Sequence, residues 1–457
     1  MISDSGPPRL RRVLKLSDLI IYGIVLIQPT APVPLYGVAE NLSHGHFAAT
    51  ILLAMLAMLI TAFSYGRMAA VYPQAGSAYT YVGRGWNPHL GFLVGWAMLL
   101  DYLLQPLLSA VWIAAAIQSR YVPGIPFAAA AFVVVGAITA LNLYGVKSSA
   151  RATKLLLTGM CVVLAAFVWL AIRHLYSAGG WPGLFSIRPF YEPRMLQSRT
   201  LWSATSFAAL TYIGFDGVTT LAEDVENPRR NVLLATVLVC LLTGVLSILI
   251  VYLGQLIWPD WRAFTNLETA FLDVCNRVGG AALFQGMAVV MIIAMLGSGL
   301  TGALGAARLL FGMGRDGVLP SRIFARLRGE SRTPANAILA VGAIALLGAV
   351  TLGAIGSAFE HAGQLLNFGA FLAFMAVNLA CFRHYGLRRR RPGLLGLGVD
   401  SILPLAGFLF CAAIWLNLST IAKTAGGIWL GAGLAYLLVR TRGFHIDPPA
   451  ISFDQPE

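Results

Sequence analysis

The sequence predicts an all-α polytopic membrane protein of twelve transmembrane helices, and three observations carry that prediction. Of its 457 residues, 58% are hydrophobic and 11% charged, where a soluble chain carries about 25% charged residues. The apolar residues fall into runs near the ~20 residues that a helix needs to cross a bilayer. Lys and Arg are shared unequally between alternate connecting segments, the pattern expected of a multi-span chain.

The first run, 16–38, follows Arg9, Arg11, Arg12 and Lys15; the second, 47–70, contains Arg67 near its end, and Arg84 precedes the third, 91–118. Lys147, Arg151 and Lys154 lie where the fourth run, 126–145, gives way to the fifth, 153–175. The sixth, 201–222, passes through Arg229 and Arg230 into the seventh, 232–257. Arg308, Arg315, Arg322, Arg326, Arg328 and Arg332 separate the eighth, 281–307, from the ninth, 335–355. Arg383 and Arg388–Arg391 separate the tenth, 361–383, from the eleventh, 402–421, and Arg440 and Arg442 follow the twelfth, 424–439. All of these fall on one side and account for 24 of the 32 basic residues. The other side keeps Arg120, Arg173, Arg188, Arg194, Arg199, Arg262, Arg277 and Lys423. This asymmetry predicts an even number of spans, both termini in the cytoplasm, and residence in the plasma (inner) membrane. The net charge of +13 is therefore topological and gives no reason to expect nucleic acid. Arg388–Arg391 reads as topogenic, with an anionic-lipid site as the alternative.

One membrane transport domain is expected over 16–440, with cytoplasmic tails at 1–15 and 441–457. The longest connections, 71–90, 176–200, 258–280 and 308–334, are too short for a folded core of their own. The five cysteines, Cys161, Cys240, Cys275, Cys381 and Cys411, show no CxxC spacing, so no disulfide framework is expected. The first run is long and lacks a small-residue cleavage site, so it reads as an anchor rather than a signal peptide.

Two runs break the rules for a plain helix. The first holds Gln28-Pro29-Thr30-Ala31-Pro32-Val33-Pro34, and proline removes a backbone donor and clashes with the preceding turn. The sixth holds Gly214-Phe215-Asp216-Gly217, two glycines around an acid at mid-span. Paired interruptions at corresponding positions of two halves point to a transporter's midplane site. They predict two five-helix repeats of opposite topology, about 16–175 and 201–383, with helices eleven and twelve (about 402–439) appended. Two unrelated kinks would be the plain alternative.

Several strings resemble the amino acid–polyamine–organocation permease family. Tyr72-Pro73-Gln74-Ala75-Gly76-Ser77-Ala78-Tyr79-Thr80-Tyr81 is similar to that family's connection between helices two and three, and Gly95-Trp96-Ala97-Met98-Leu99-Leu100-Asp101-Tyr102 to its helix three. Tyr212-Ile213-Gly214-Phe215-Asp216-Gly217, then Ala222-Glu223-Asp224-Val225-Glu226-Asn227-Pro228-Arg229-Arg230, is similar to helix six and its exit. Arg308-Leu309-Leu310-Phe311-Gly312-Met313-Gly314-Arg315-Asp316-Gly317-Val318-Leu319-Pro320 is similar to the end of helix eight. The resemblance covers roughly 15–440. It implies an inverted-repeat fold of the leucine-transporter type and alternating access around a central site.

Two departures bear on substrate and ion. The family's first break is glycine-rich and its free amides bind a carboxylate; here Pro29, Pro32 and Pro34 cannot donate, leaving the amides of Gln28, Thr30, Ala31 and Val33. That variant resembles the putrescine-importer branch and suits a substrate without an α-carboxylate, although the remaining amides could still serve one. In helix five, Met160 stands where many sodium-independent relatives have a lysine. The gap would admit a sodium ion on Ser298 and Thr301 hydroxyls and freed carbonyls, unless Met160 simply packs. Proton coupling is the competing reading, and no other cofactor or metal is expected; His44-Gly45-His46 is too weak a metal pattern.

An ionised carboxylate at bilayer depth is costly, so intramembrane acids are functional candidates. Asp101 is the candidate for proton coupling or amine contact, with an interhelical hydrogen bond near Tyr102 or Gln105 as the structural alternative. Asp216 either accepts from unwound amides or faces the substrate. Tyr212 and Phe215 are candidate gates or cation–π partners, or else core. Gly214 and Gly217 would expose backbone to the substrate. Glu223, Asp224, Arg229 and Arg230 read as a cytoplasmic gate or ion-pair network, whereas Glu360 and His361 read as a wet hairpin.

These features favour a permease for amino acids or small organic amines over other classes. No potassium-filter string supports a channel, and no Walker loop, zinc-protease or nucleophile-elbow motif supports an enzyme. A non-transporting nutrient sensor is the alternative of a different class. Some relatives carry a disulfide-linked heavy subunit; residues 119–125 hold no cysteine for one, so a monomer or weak homo-oligomer in contact with lipid is expected.

Overall fold

The computed structural model describes residues 14–73, 77–144, 150–193, 197–222, 224–315, 319–327, 334–388 and 392–448, with the side chains of 150–153 and 315 left aside. Arg388–Arg391 therefore lies outside the described residues except for its first member, as do Glu223 and part of each tail. Among the described residues the chain is all-helical, at 83% helix without strands, and an isolated backbone bridge joins Leu14 to Val225.

In chain order the helices are α1 (Leu16–Ile27), α2 (Tyr36–Ser43), α3 (Phe47–Val71), α4 (Ser77–Gly85), α5 (Pro88–Ala116), α6 (Phe127–Leu143), α7 (Ala150–Gly179) and α8 (Ser198–Ala208). There follow α9 (Pro228–Ile257), α10 (Ala270–Arg315), α11 (Ser321–Phe324), α12 (Ala335–Ile355), α13 (Ala358–Cys381), α14 (Leu394–Gly396), α15 (Leu403–Leu416) and α16 (Thr420–Arg440). Among the described residues, nine helical stretches are long and apolar enough to cross a membrane, and α1 and α6 are shorter apolar helices.

The sequence places the runs well but not every boundary. Helix α5 begins at Pro88 because Asn87 caps it, its side chain accepting from the amides of His89 and Leu90. Such a cap satisfies donors that the first turn cannot. The connection 258–280 is not loop throughout: residues 270–279 form the start of α10, bent at Gly280 with φ +61°. Phe271, Leu272, Val274 and Cys275 bury the inner face of that turn, so packing makes a helix where the span boundary alone suggests a loop.

Helices α5 and α13 are the most enclosed, while α7, α12 and α16 present much of their surface outward. Helix α3 lies along α9; α5 packs against α10 and α13; α7 packs against α10, and α6 against α12. The last helix is tied in by a reciprocal pair: Trp96 Nε1 donates to the Trp429 carbonyl and Trp429 Nε1 to that of Trp96, both at 2.9 Å.

Arg67 corrects a simple reading of charge. As a basic residue at the end of the second run it fits a solvated, topogenic role, yet it is only 7% exposed and pairs with fully buried Asp400. It also donates to the Val399 carbonyl at 2.9 Å and sits 3.6 Å above the Tyr385 ring. Its positive charge helps lock the start of the eleventh run against α3. Removing one member of such a pair strands the other in a low-dielectric interior. Arg67→Ala should therefore cost about 3–5 kcal/mol, and the double change Arg67→Met with Asp400→Leu should recover much of it. Unfolding midpoints in detergent test this; equal midpoints for wild type and Arg67→Ala would remove the pair from the list of stabilising contacts.

Candidate substrate site

Helix α1 ends at Ile27, and Gln28 takes a positive φ of +68°. Irregular backbone then runs to Leu35 before α2 begins. The prolines set this geometry, since none of the three can donate to a helical ladder. The Gln28 amide bonds to the Ile24 carbonyl, that of Ala31 to Gln28, and that of Val33 to Thr30. Three of the four amides that the prolines spare are thus engaged in local turns. Thr30 differs: its side-chain hydroxyl is buried with no partner.

The sixth run is interrupted as well. Helix α8 gives way at Ala209 to a 3-10 turn through Tyr212; Ile213 is extended; and Gly214 adopts φ +109° before a second 3-10 segment, Phe215–Leu221. A left-handed residue at this point is costly for any side chain with a Cβ. A methyl group on Gly214 would also sit 3.4 Å from the Leu26 carbonyl at the end of α1. The two interruptions therefore meet, with α1 packed on the segment that follows Gly214.

Of the two intramembrane acids, Asp216 lies in the segment that follows Gly214, and Asp101 lies on α5. Asp101 accepts from Gln105 Nε2 at 3.3 Å, and Gln105 Oε1 accepts from Ser298 Oγ on α10. The Gly217 amide donates to the Gly214 carbonyl at 3.1 Å, and Asp216 lies within electrostatic range of Asp101. No ion pair among the described residues includes either acid. Tyr102 stands close to both acids and to Tyr22, and Tyr22 and Tyr102 keep 37% and 36% of their surface open. Two carboxylates and two aromatic rims in one cleft can hold ammonium groups by charge and by cation–π contact.

Other expected site residues fall elsewhere. Tyr212 is fully buried with its hydroxyl donating to the Ile51 carbonyl at 3.1 Å. Phe215 is also fully buried, its ring centroid 5.4 Å from Tyr65 and 5.2 Å from Phe374. In this conformation both are packing residues rather than gates, because neighbouring rings and a backbone acceptor already occupy them. Ser298 is bound to Gln105, Thr301 is exposed and donates to the Gly297 carbonyl, and Met160 is buried on α7.

At the exit of the sixth run the contact is backbone rather than ionic. The Leu14 amide donates to the Asp224 carbonyl at 3.0 Å and the Glu226 amide to that of Leu14 at 2.9 Å. Arg229 and Arg230 are exposed, and among the described residues no ion pair joins them to Asp224. Glu223 lies outside the described residues.

The opposite face is shut. Tyr36 is buried against Phe47, Phe264 and Phe271. A methyl on Gly37 would collide with the Leu267 carbonyl. Arg120 pairs with Asp273 at 2.6 Å and donates to Thr269, and Trp112 Nε1 donates to the Glu268 carbonyl at 2.8 Å. Sequence reasoning missed this seal, and with it Glu40, which is 2% exposed. The first run was expected to stop at residue 38, which left Glu40 outside it. Its spacing from buried Tyr36, one helical turn earlier, was the available signal.

Comparison with known proteins shows the family of the chain. The amino acid permease family matches residues 32–428. The low-affinity putrescine importer PlaP of Escherichia coli (strain K12) is 33% identical over 441 residues, covering 96% of each chain. The branched-chain amino acid permease BcaP of Bacillus subtilis (strain 168) is 26% identical over 96% of this chain and 95% of its own. The vacuolar cationic amino acid transporter 4 of Arabidopsis thaliana is 27% identical over 82% of this chain and 64% of its own. The chain belongs to the amino acid permease family, among the amino acid–polyamine–organocation permeases. It is a multi-pass membrane transporter of amino acids or amines, and not an enzyme.

Gly214→Ala tests whether the second break needs its left-handed residue. The change should cost about 1–2 kcal/mol and lower the unfolding midpoint in detergent. An unchanged midpoint would mean that the break tolerates a Cβ.

Proposed function

We propose that this permease imports small aliphatic diamines of the putrescine kind. The observation that carries this reading is the pair of membrane-embedded carboxylates, Asp101 and Asp216, close enough to repel and without a Lys or Arg partner among the described residues. A diammonium substrate neutralises both, whereas stranding two bare carboxylates at bilayer depth is costly. The engaged amides at Gln28, Ala31 and Val33 leave little for a substrate carboxylate, and the similarity to a putrescine importer points the same way. A second reading, a cationic amino acid, is favoured by the unpartnered Thr30 hydroxyl, which would donate to a carboxylate.

The working architecture on this reading is twelve spans in a single domain, 16–440. The first ten form two inverted five-helix repeats, helices eleven and twelve are appended, and both termini are cytoplasmic. The packing supports the repeat: exchanging the two halves turns the α5–α13 pairing into α10–α7 and maps α6–α12 onto itself. The transporting unit on this reading is a monomer or a weak homo-oligomer. The excess of basic residues on the face of the termini supports the orientation.

Coupling is proposed to run through a proton on Asp101, which the Gln105–Ser298 chain links across to α10. The competing ion is sodium at Ser298 and Thr301; both hydroxyls donate in this conformation, so their lone pairs are not spent.

Uptake into proteoliposomes tests all three claims. Putrescine, lysine and leucine are offered with a proton gradient or a sodium gradient imposed separately. Putrescine should accumulate best, and Asp216→Asn should raise its half-saturating concentration by tenfold or more, the loss of a buried charge pair being worth at least ~1.4 kcal/mol. Preferential uptake of leucine would overturn the diamine reading. Asp101→Asn should abolish proton-driven accumulation while leaving downhill exchange. Wild-type accumulation in that variant would sink the coupling role, and a sodium requirement that Ser298→Ala raises would give the ion to the competing site.

A further inference from the structure

Glu40 is a buried acid that neither the substrate cleft nor its coupling path uses. It lies on α2, sealed beneath the segment 264–279 and 2% exposed. One carboxyl oxygen, Oε2, accepts from Gln255 Nε2 at 3.1 Å, and Gln255 is itself fixed by the Gly45 carbonyl and the Ala48 amide. The other, Oε1, is buried without a partner.

The titratable and charged groups around it offer no compensation. On α2 itself there is Tyr36, whose hydroxyl is also buried and unpartnered. The start of α3 contributes His46, whose Nδ1 meets the Ser43 carbonyl. From α10 come Cys275, Asp273 already paired with Arg120, and Arg277 lying over Trp258. The 261–263 turn brings Arg262, which lies over Trp261, the ring on which His44 stacks. Asp260 and Glu268 flank that turn, Arg199 on α8 is exposed, and α9 presents neutral Gln255. Among the described residues no cation forms an ion pair with Glu40.

An ionised carboxylate with one bare oxygen in such a place would forfeit several kcal/mol of hydration. The neutral acid escapes that cost. We propose that Glu40 is a proton-binding site of the closed outer half: the carboxyl takes a proton from the outer solution when α2 and segment 264–279 close, and returns it when they part. In the closed state the proton sits on the bare oxygen, and in the open state water solvates the anion. Opening therefore releases one proton, and the opening equilibrium rises with outer pH. This lies beyond the diamine reading and rests on it only for which face is outer.

Cys275 is a native reporter, since it lies fully buried beside Tyr36 under the same seal. In a Cys161→Ser background, proteoliposomes are treated with a membrane-impermeant maleimide, added to each side in separate samples. Labelling of Cys275 is followed between pH ~5.5 and ~7.5 and divided by the rate of a free thiol peptide at the same pH. Release of one proton gives a corrected rate that rises by up to about tenfold per pH unit. Glu40→Gln, which keeps the shape of the neutral acid and its bond to Gln255, should be slow and flat across that range, and Glu40→Asp should restore the slope. A flat wild-type profile overturns the proposal without any variant, and so does an unchanged slope in Glu40→Gln. Because the readout needs no substrate, it can fail while diamine import stands, and the reverse.

Discussion

Everything in this molecule turns on the cost of leaving a polar group bare in hydrocarbon. Lipid offers no hydrogen bonds, so irregular backbone at membrane depth survives only where protein or enclosed water covers it. The two breaks satisfy this by meeting: Gly214 and Gly217 lie against Leu26, and the turns of 28–36 bond among themselves. Two half-helices that shelter each other create the only kind of place where an ammonium ion could shed its water and still find acceptors. Fold and function share one cause here.

The same accounting explains the asymmetry between the faces. Around α2 the aromatic side chains and the Arg120–Asp273 pair leave hardly any accessible surface. Towards the chain ends, Tyr22, Leu26 and Tyr102 stay partly open. The seal is built largely of rings and small residues, whose contacts separate without stranding charges; the single ion pair in it is partly exposed.

The coarse features could be read from the chain because hydrophobic run length and basic-residue bias are strong, local signals. The interruptions at Pro29–Pro34 and Gly214–Gly217 were legible for a similar reason, since proline and glycine act on their own backbone. What escaped depends on distant partners. Arg67 looks like any basic residue near a span end until Asp400, more than three hundred positions away, is placed beside it. Tyr212 and Phe215 carry the chemistry of a gate, and only tertiary packing shows that Ile51 and Phe374 have claimed them. The helical start of α10 depends on burial against α2, which no window of sequence contains.

The short backbone bridge between Leu14 and Val225 has a mechanical corollary. It staples the chain just before the first broken span to the chain just after the second, so those two half-helices are ganged like blades on one pivot. Neither can swing alone without breaking two hydrogen bonds from amides to carbonyls. Leu14 thereby acquires leverage: a pull on that one residue would brake both blades together.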